Sequence, residues 1–405
     1  MVRNLFQPLL NHLSKKEFTI ITGARQTGKS TLMRELERYC KAESIPSIFF
    51  NLENKAVLSE LDETPLNVLR YLPATEQRTV IFVDEVQYLD NPSNFLKLLY
   101  DDYSDRIKIV ATGSSAFYLD KSFTDSLAGR KRIFNLPTCN FDEYLALRSR
   151  TDLLDEVRRI RSDKKAKSLV NTLLKHEYEQ FLLYGGYPAV IVESDMEEKK
   201  SILAEIRDSF VRKDILESGV RNEKEFYNLF RILASQSGSM LNINELSNTL
   251  GIKNETVGHY LYILQKCFYI ALVSPFYRNL RKELTKTPKV YLLDTGLMNR
   301  LLNSFQPVDE RINKGEIWET AYYKMLYERY HQDEILYWRT TDGNEIDFVL
   351  PTLEQPFAVE IKYNHKAIKE SKYRKFAETY PDIPLKYNYL QPFDEDFFRR
   401  IPQVS

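Results

Sequence analysis

The sequence is poor in cysteine and lacks a long apolar run. Its 405 residues include three cysteines, Cys40, Cys139 and Cys267, which are odd in number and widely spaced. This pattern excludes a disulfide framework and a cysteine-based zinc site, and it is typical of a reducing cytosol. No apolar run approaches the length that crosses a membrane, and residues 1–13 do not read as an export signal. We therefore expect a soluble, cytoplasmic protein with no membrane contact.

The sequence also lacks a net charge and contains little glycine. Lysine plus arginine and aspartate plus glutamate both total 57, so the whole molecule has no global attraction for nucleic acid. Any such binding must use a local basic patch. Glycine supplies only 13 residues, so a glycine-containing motif is unlikely to arise by chance. With 43% hydrophobic and 28% charged residues, the chain is globular and long enough for about two to four domains.

One glycine-containing segment has the sequence of a phosphate-binding loop. Residues 23–30 match GxxxxGK(S/T) and stand between an apolar run at 18–22 and a helical pattern from Thr31. In such a loop, backbone N–H groups and the positive end of the following helix hold a polyphosphate. Lys29 adds a charge near the outer phosphates, and the Ser30 hydroxyl can ligate Mg²⁺. The predicted nucleotide-binding residues are Gly23, Ala24, Arg25, Gln26, Thr27, Gly28, Lys29, Ser30 and Thr31.

A second nucleotide motif follows the apolar run at 79–83, where Asp84 and Glu85 stand side by side. Ligands meet parallel sheets at strand ends, and in P-loop ATPases an aspartate here holds Mg²⁺ while a following glutamate polarises water. We predict that Asp84 holds the metal with Ser30 and that Glu85 is catalytic. At the end of the next strand pattern, the hydroxyls within residues 112–115 could sense the γ-phosphate, and Ser114 is the candidate taken as catalytic. Ordinary strand-end turn chemistry explains those hydroxyls equally well.

A catalytic arginine is expected outside the loop, because positive charge facing the transferred phosphoryl group accelerates its transfer to water. The candidate is Arg130, within the basic segment 127–132. It could act in its own chain or reach the site of a neighbouring subunit. The alternative is a solvated basic turn, since charge runs usually lie on the surface.

The remaining sequence patterns divide the chain further. Alternating apolar runs and helical patterns in the first third predict a parallel sheet covered by helices. A charged helical segment follows, and then two short helical patterns between Asn242 and Lys266 that precede an extended stretch, which predicts a winged helix-turn-helix. After these come one helical pattern and three strand-like runs, at 315–330, 334–340, 344–350 and 357–363. They predict a small α+β domain at the C-terminus.

Several motifs follow one another in a characteristic order along nearly the entire chain. They are GARQTGKST, VIFVDEVQYL, IVATGSSAFYL, LAGRKRIFNLPTCNFDEYL, YGGYPAVI, VRKDIL and YLLDTGL. This ordered set resembles the prokaryotic AAA-type ATPases that carry a DUF4143 domain. The resemblance implies binding and hydrolysis of ATP with Mg²⁺, a helix-turn-helix and a nuclease-like C-terminal domain. It implies no biological pathway.

Four residues near the C-terminus are candidates for a nuclease site. Glu360 and Lys362 project from the same face of one strand, Asp347 lies on the preceding strand, and Glu319 lies on the helix before it. The set resembles the PD-(D/E)xK nucleases, which implies that Asp347 and Glu360 hold Mg²⁺ while the lysine orients water. Ile346 stands where that motif has proline. The same alternation also describes a half-solvated strand, and a correct fold need not be active.

A basic segment after the helix pair is the candidate DNA contact. Five basic side chains against Glu283 leave a local charge of +4, which could lie along a DNA backbone with salt-sensitive affinity. A winged helix can equally dock on its own ATPase domain. The candidate residues are Arg278, Arg281, Lys282, Lys286 and Lys289.

These interpretations combine into an α/β fold with a P-loop NTPase sheet, a helical subdomain, a winged helix-turn-helix and a restriction-nuclease-like terminal domain. The predicted boundaries are 1–143, 144–235, 236–300 and 301–405. One alternative is a slow nucleotide-gated switch that acts by binding partners. Another is a small-molecule kinase, against which the adjacent Asp84 and Glu85 and the large C-terminal half argue. Homo-oligomer and monomer both stay open.

Overall fold

A computed structural model describes residues 3–113, 127–210, 220, 222–277, 287–394 and 396–402. It divides the chain into two compact units. The first contains the described residues of Met1–Pro137 with Lys266–Phe268, and the second those of Thr138–Gln265 with Tyr269–Ser405. The finer division into four segments stays a prediction.

A five-stranded parallel sheet lies at the centre of the first unit. Its strands are β1 (Phe18–Thr22), β2 (Ser47–Asn51), β3 (Thr79–Asp84), β4 (Ile107–Gly113) and β5 (Lys131–Asn135). The helices are α1 (Phe6–Leu13), α2 (Lys29–Ala42), α3 (Lys55–Glu63) and α4 (Pro92–Tyr103), with 3₁₀ turns at Pro65–Tyr71 and Val86–Tyr88. The strand order is β2-β3-β4-β1-β5. The predicted parallel sheet is confirmed.

The three central strands, β1, β3 and β4, are buried along their whole length. Successive residues of β1 belong to different apolar clusters: Ile20 packs with Ile81, whereas Ile21 packs with Phe82 and Val110. Because side chains alternate across a strand, this division places an apolar core on each face of the sheet. Coverage on both faces explains why these strands read as continuous apolar runs.

The second unit contains the remaining helices and a second sheet. Its helices are α5 (Phe141–Leu147), α6 (Thr151–Ser162), α7 (Asn171–Tyr184), α8 (Pro188–Val192), α9 (Met196–Phe210), α10 (Glu223–Ser235), α11 (Ile243–Leu250), α12 (Asn254–Lys266), α13 (Thr295–Leu302), α14 (Lys314–Arg329), α15 (Arg374–Thr379) and α16 (Phe397–Arg400). Its strands are β6 (Ile270–Val273), β7 (Lys289–Leu292), β8 (Leu336–Arg339), β9 (Glu345–Leu350), β10 (Phe357–Asn364) and β11 (Leu385–Gln391). Short 3₁₀ turns lie at Val308–Glu310, Gln332–Glu334, His365–Ala367 and Glu370–Tyr373.

The C-terminal sheet has the order β11-β10-β9-β8. Strands β8, β9 and β10 pair antiparallel, and β11 adds in parallel to β10. The predicted small α+β domain is therefore confirmed, with the helix and three strands close to their predicted positions. The strand β11 at the sheet edge was not predicted.

The helix pair predicted between Asn242 and Lys266 is also present. Asn242 caps α11 by accepting a hydrogen bond from Glu245 N at 3.2 Å, and Gly251 ends it with a φ of 64°. Glycine suits this position because a left-handed turn costs it little. Strands β6 and β7 follow as an antiparallel pair. Across the described part of the chain, no helix is both long and apolar enough to cross a bilayer.

Candidate functional site

The predicted phosphate loop joins the end of β1 to the start of α2. Its backbone enters the left-handed region at Gly23, Gln26 and Gly28, with φ values of 146°, 61° and 93°. The glycines adopt such angles at little cost, whereas a glutamine there is uncommon and marks a constrained loop. Helix α2 begins at Lys29, and the first-turn N–H groups of a helix have no partner within it. Loop and helix together therefore present donors to an anion.

Gly23 is required by close packing as well as by its backbone angle. A Cβ atom at this position would lie 2.3 Å from the carbonyl oxygen of Leu136. Leu136 N in turn donates a hydrogen bond of 2.7 Å to Thr22 O, which fixes the segment after β5 against the loop. A side chain at the first position of the motif would therefore clash with the backbone of Leu136, so this fold requires glycine there.

The Lys29 side chain lies inside the loop. Its Nζ atom donates hydrogen bonds of 2.8 Å to the carbonyl oxygens of Gly23 and Ala24, and only 5% of the residue is exposed. The ammonium group is therefore held beside the N–H groups that would surround a phosphate chain. A cation in this place supplies attraction for the outer phosphates.

Arg3 braces the loop from outside, which the sequence did not predict. Its Nη1 atom donates to Thr27 O at 2.7 Å, and its Nη2 atom donates to Pro137 O at 2.6 Å. Thr27 also bonds within the loop, from Oγ1 to Ala24 O at 3.0 Å. An arginine 20 residues upstream belongs to no recognised motif, so only the folded structure reveals this role.

Asp84 lies near the phosphate loop because it ends β3, and the carboxyl ends of the parallel strands β1, β4 and β3 lie at the same end of the sheet. Its Oδ1 atom accepts a hydrogen bond from Ser30 Oγ at 3.1 Å and another from the hydroxyl of Thr112. Asp84 is 6% exposed. A carboxylate beside a hydroxyl is a hard oxygen donor set that suits Mg²⁺ completed by phosphate oxygens and water. Ser30 and Asp84 therefore fit the predicted metal.

Glu85 follows Asp84 in a left-handed conformation, with a φ of 60°. Its backbone N–H donates to Thr112 Oγ1 at 2.9 Å, and Gln87 Nε2 donates to its carboxylate Oε2. A non-glycine residue held at positive φ is often part of a functional site. The backbone therefore leaves regular strand geometry at Glu85, directly after the end of β3.

Thr112 is the residue that ties these parts together. Its hydroxyl donates to Asp84 and accepts from the backbone of Glu85. The sequence drew attention to the hydroxyls at 112–115 but selected Ser114, which lies outside the described residues. The sequence feature that could have identified Thr112 is its hydroxyl near the carboxyl end of an otherwise largely apolar strand, β4.

Arg130 does not line the phosphate loop of its own chain. Its carbonyl accepts from Phe18 N at 2.9 Å, at the start of β1, whereas the loop follows Thr22. These ends of the strand are about 13 Å apart. The guanidinium group forms a two-point pair with Asp101 on α4, at 2.6 and 3.2 Å. Parallel pairing of β5 with β1 places Arg130 at the amino ends of these strands, whereas the phosphate loop follows the carboxyl end of β1. The catalytic role of Arg130 stays a prediction.

In the second unit, three predicted nuclease residues come together. Lys362 Nζ bonds Glu360 Oε1 and lies 3.8 Å from Asp347 Oδ2. Asp347 Oδ2 also accepts from Ile361 N at 2.7 Å. Tyr373, which the sequence did not suggest, donates to Glu360 Oε1 at 2.9 Å.

The predicted DNA contact at Lys289 is wrong. Lys289 is 2% exposed, and its Nζ atom lies 3.3 Å from Glu319 Oε1, 2.5 Å from Glu345 Oε1 and 3.7 Å from Asp347 Oδ1. A run of basic letters does not reveal which strand residues face inward. The other predicted contacts, Arg278, Arg281, Lys282 and Lys286, lie outside the described residues.

Burial changes the titration of this carboxylate cluster. Burial and the neighbouring Asp347 raise the pKa of Glu360 to about 8 and that of Glu319 to about 7. Burial lowers the pKa of Lys362, but the attraction of Asp347 and Glu360 outweighs it, so the net shift is upward. The Oε2 atom of Glu360 is buried without a hydrogen-bond partner among the described residues. That atom fits a neutral carboxyl group better than a carboxylate.

Family comparisons match three segments of the chain. An AAA domain matches residues 15–145, a domain of unknown function (DUF8612) matches residues 175–307, and a second such domain (DUF4143) matches residues 314–401. The first segment includes the phosphate loop, Asp84 and Glu85, and the last includes Glu319, Asp347 and Glu360. The DUF8612 segment was not predicted from the sequence.

Relatives of similar length occur in distant organisms. An uncharacterized protein of Methanocaldococcus jannaschii is 27% identical over 402 residues, covering 96% of this chain and 85% of its own. One of Haemophilus influenzae is 24% identical over 374 residues, covering 89% and 86%. The solved Aeropyrum pernix ORC1 protein in complex with DNA aligns with 13% identity and a TM-score of 0.32, over 74% of this chain and 91% of its own. That structural likeness is too low to support an argument.

The matches at the two ends of the chain agree with the motifs and with the folds on which those motifs lie. The N-terminal match contains a parallel sheet with a phosphate loop, and the C-terminal match contains the mixed sheet with its carboxylate cluster. The chain therefore carries an AAA domain of the P-loop type, followed at its C-terminus by a DUF4143 domain.

Proposed function

We propose that this protein binds ATP with Mg²⁺ and hydrolyses it in the first unit. The observation that carries the proposal is the pair of hydrogen bonds made by the Thr112 hydroxyl, one to the Asp84 carboxylate and one from the Glu85 backbone N–H. Asp84 also accepts a hydrogen bond from the Ser30 hydroxyl. This arrangement collects a metal-binding pair and a candidate base at adjacent carboxyl ends of a parallel sheet, where such sheets bind ligands. The AAA match over the same residues supports the nucleotide.

Each residue has a defined task in this proposal. The loop N–H groups bind the phosphates, and the Lys29 ammonium exchanges its carbonyl partners for phosphate oxygens. Ser30 and Asp84 would hold Mg²⁺, which supplies positive charge to the phosphates when it is bound. Glu85, held at one oxygen by Gln87, orients the attacking water and accepts its proton.

The direct test is steady-state phosphate release from ATP by the full chain. We expect turnover with Mg²⁺ and none when EDTA removes the metal. A phosphorylated small molecule in place of free phosphate would favour the kinase alternative. Absence of phosphate release and of any phosphorylated product would contradict the proposed hydrolysis.

Thr112→Val is expected to lower kcat by roughly 10- to 100-fold while changing the ATP KM little. Removing the hydroxyl frees both Asp84 and the Glu85 backbone, and small misplacements of catalytic groups are costly. Thr79→Val is the matched control, because Thr79 is also buried in the sheet but at the start of β3. An unchanged kcat in Thr112→Val would remove this positioning role.

The position of Arg130 supports the proposal that, in an oligomer, each subunit supplies this arginine to the ATP site of a neighbouring subunit. Because it lies away from its own phosphate loop, we expect Arg130→Ala and Lys29→Ala each to be nearly inactive, whereas their mixture regains activity. An arginine supplied by a neighbour accelerates phosphoryl transfer by about 10³- to 10⁵-fold in other systems. The measurement is the ATPase rate of the mixture against protein concentration. Full activity of Arg130→Ala alone would contradict the role.

DNA-dependent control of the ATPase is a second candidate function. The start of the second helix of the α11–α12 pair is surrounded by exposed polar side chains, which can contact base edges or phosphates. They are Asn244, Asn248, Lys253 and Asn254. Without Lys289, the adjacent basic segment still carries four basic residues against Glu283. Stimulation of the ATPase by duplex DNA that fades with salt would favour this function, and indifference to DNA would favour the slow partner-binding switch.

A further inference from the structure

The carboxylate cluster of the second unit already contains a buried cation. The Lys289 ammonium lies within 4 Å of oxygens from Glu319 on α14 and from Glu345 and Asp347 on β9. The ring of Tyr337 lies 5.5 Å from the same nitrogen. An ammonium group that is removed from water must be surrounded by such acceptors, because an unpaired buried charge is very costly.

The predicted Mg²⁺ ligands do not fit a metal in this arrangement. Asp347 Oδ1 faces Lys289, and Asp347 Oδ2 accepts the backbone N–H of Ile361. Glu360 Oε1 is bonded to Lys362 and to the hydroxyl of Tyr373. Mg²⁺ requires oxygens at about 2.0 to 2.1 Å in octahedral geometry, with several waters retained. An ammonium ion at the centre of the carboxylates takes the space and the charge that such an ion would need.

The arrangement of possible metal ligands among the described residues also argues against a metal site. No group of three or more His, Cys, Asp or Glu side chains there has an arrangement that could hold a metal ion. We propose that the Lys289 ammonium is the resident cation of this cluster, and that the cluster fastens strand β7 to the C-terminal domain instead of binding a divalent metal.

Strand β7 is held to its surroundings by further contacts of the same residues. Tyr291, two residues after Lys289, donates its hydroxyl to Glu319 Oε1 at 2.6 Å. The backbone of Val290 accepts from Gly238 N at 2.7 Å. Glu319 and Asp347, which suggest a nuclease, thus form an internal lock, meaning the ionic and hydrogen-bonded contacts that hold β7 to α14 and β9.

Metal binding to the nucleotide-free full chain tests the proposal in the wild-type protein. We expect titration with Mn²⁺, followed by electron paramagnetic resonance, to give the same isotherm for wild type and Asp347→Asn. The phosphate-loop pair of Ser30 and Asp84 is intact in both proteins, so weak binding there cancels in the comparison. A saturable Mn²⁺ site in wild type that Asp347→Asn abolishes would overturn the proposal.

Replacement of the lysine supplies an independent test. Lys289→Met should lower the Tm by roughly 5 to 15 °C, because buried Asp347 and partly buried Glu319 and Glu345 then face one another without a cation. Lys289→Met combined with Glu345→Gln should recover part of that loss, since it removes one of the repelling charges. Lys372→Met, at an exposed position in the 3₁₀ turn Glu370–Tyr373, is the control. A Tm of Lys289→Met equal to that of wild type would contradict the lock; if this variant does not fold, the Mn²⁺ comparison decides.

Discussion

Lys29→Ala is expected to reduce ATP hydrolysis by about 10²- to 10³-fold or more and to weaken nucleotide binding. The Lys29 ammonium is buried in the loop, where it is bonded to the carbonyls of Gly23 and Ala24. The substitution removes a full positive charge from inside the phosphate loop. Without it, the loop N–H groups and Mg²⁺ must balance the charge of a triphosphate.

The control for this variant is Lys97→Ala, which removes an exposed lysine from α4 in the same unit. It should leave phosphate release and nucleotide affinity within about twofold of wild type. Circular dichroism and Tm establish that both variants are folded. Normal hydrolysis by folded Lys29→Ala would show that the phosphate loop is not the catalytic site.

Glu85→Gln is expected to bind ATP with near wild-type affinity but to slow turnover by about 10²- to 10⁴-fold. The amide keeps the size of the side chain and its contact with Gln87 while removing its capacity to accept a proton. Binding and turnover should therefore separate in this variant. Equilibrium binding of ATP and single-turnover hydrolysis measure the two quantities.

Glu76→Gln, on an exposed connection before β3, is the matched control and should behave as wild type. Should Glu85→Gln lose nucleotide binding in parallel with turnover, Glu85 would be part of the binding site and not the base. Wild-type turnover in this variant would assign the base to another residue.

The fold of the first unit was largely predictable because its central strands are buried on both faces. Strands β1, β3 and β4 read as apolar runs, and β1 and β3 begin at the predicted residues, Phe18 and Thr79. Strand β5 was missed because Lys131–Asn135 lies at the sheet edge, is only partly buried and reads as a basic turn. Strand β11 is likewise an edge strand with alternating polar residues. Weak burial leaves a weak hydrophobic pattern.

The nucleotide site was predictable where a motif fixes the spacing of its residues along the chain. The loop, Asp84 and Glu85 follow such spacing, and the structure brings Ser30 and Asp84 into contact. Arg3 and Thr112 act through contacts between distant segments, which depend on strand order and not on local sequence.

Lys289 shows most clearly what the sequence could not reveal. Next to four other basic residues it read as part of a DNA-binding face, yet the strand register places it among three carboxylates. The acidic partners lie 30 to 58 residues further along the chain. Pairing over that separation follows from the packing of β7 against α14 and β9. A charge run therefore predicts a charged surface only where its backbone lies at the surface.

The central claim is that the phosphate loop binds a magnesium–ATP complex, and equilibrium binding tests it most directly. Isothermal titration calorimetry of the full chain with a non-hydrolysable ATP analogue and Mg²⁺ should give saturable binding of one nucleotide per chain. The heat should be lost in Lys29→Ala and retained in Glu85→Gln. No binding heat at several temperatures, from wild-type protein shown to be folded, would contradict the account.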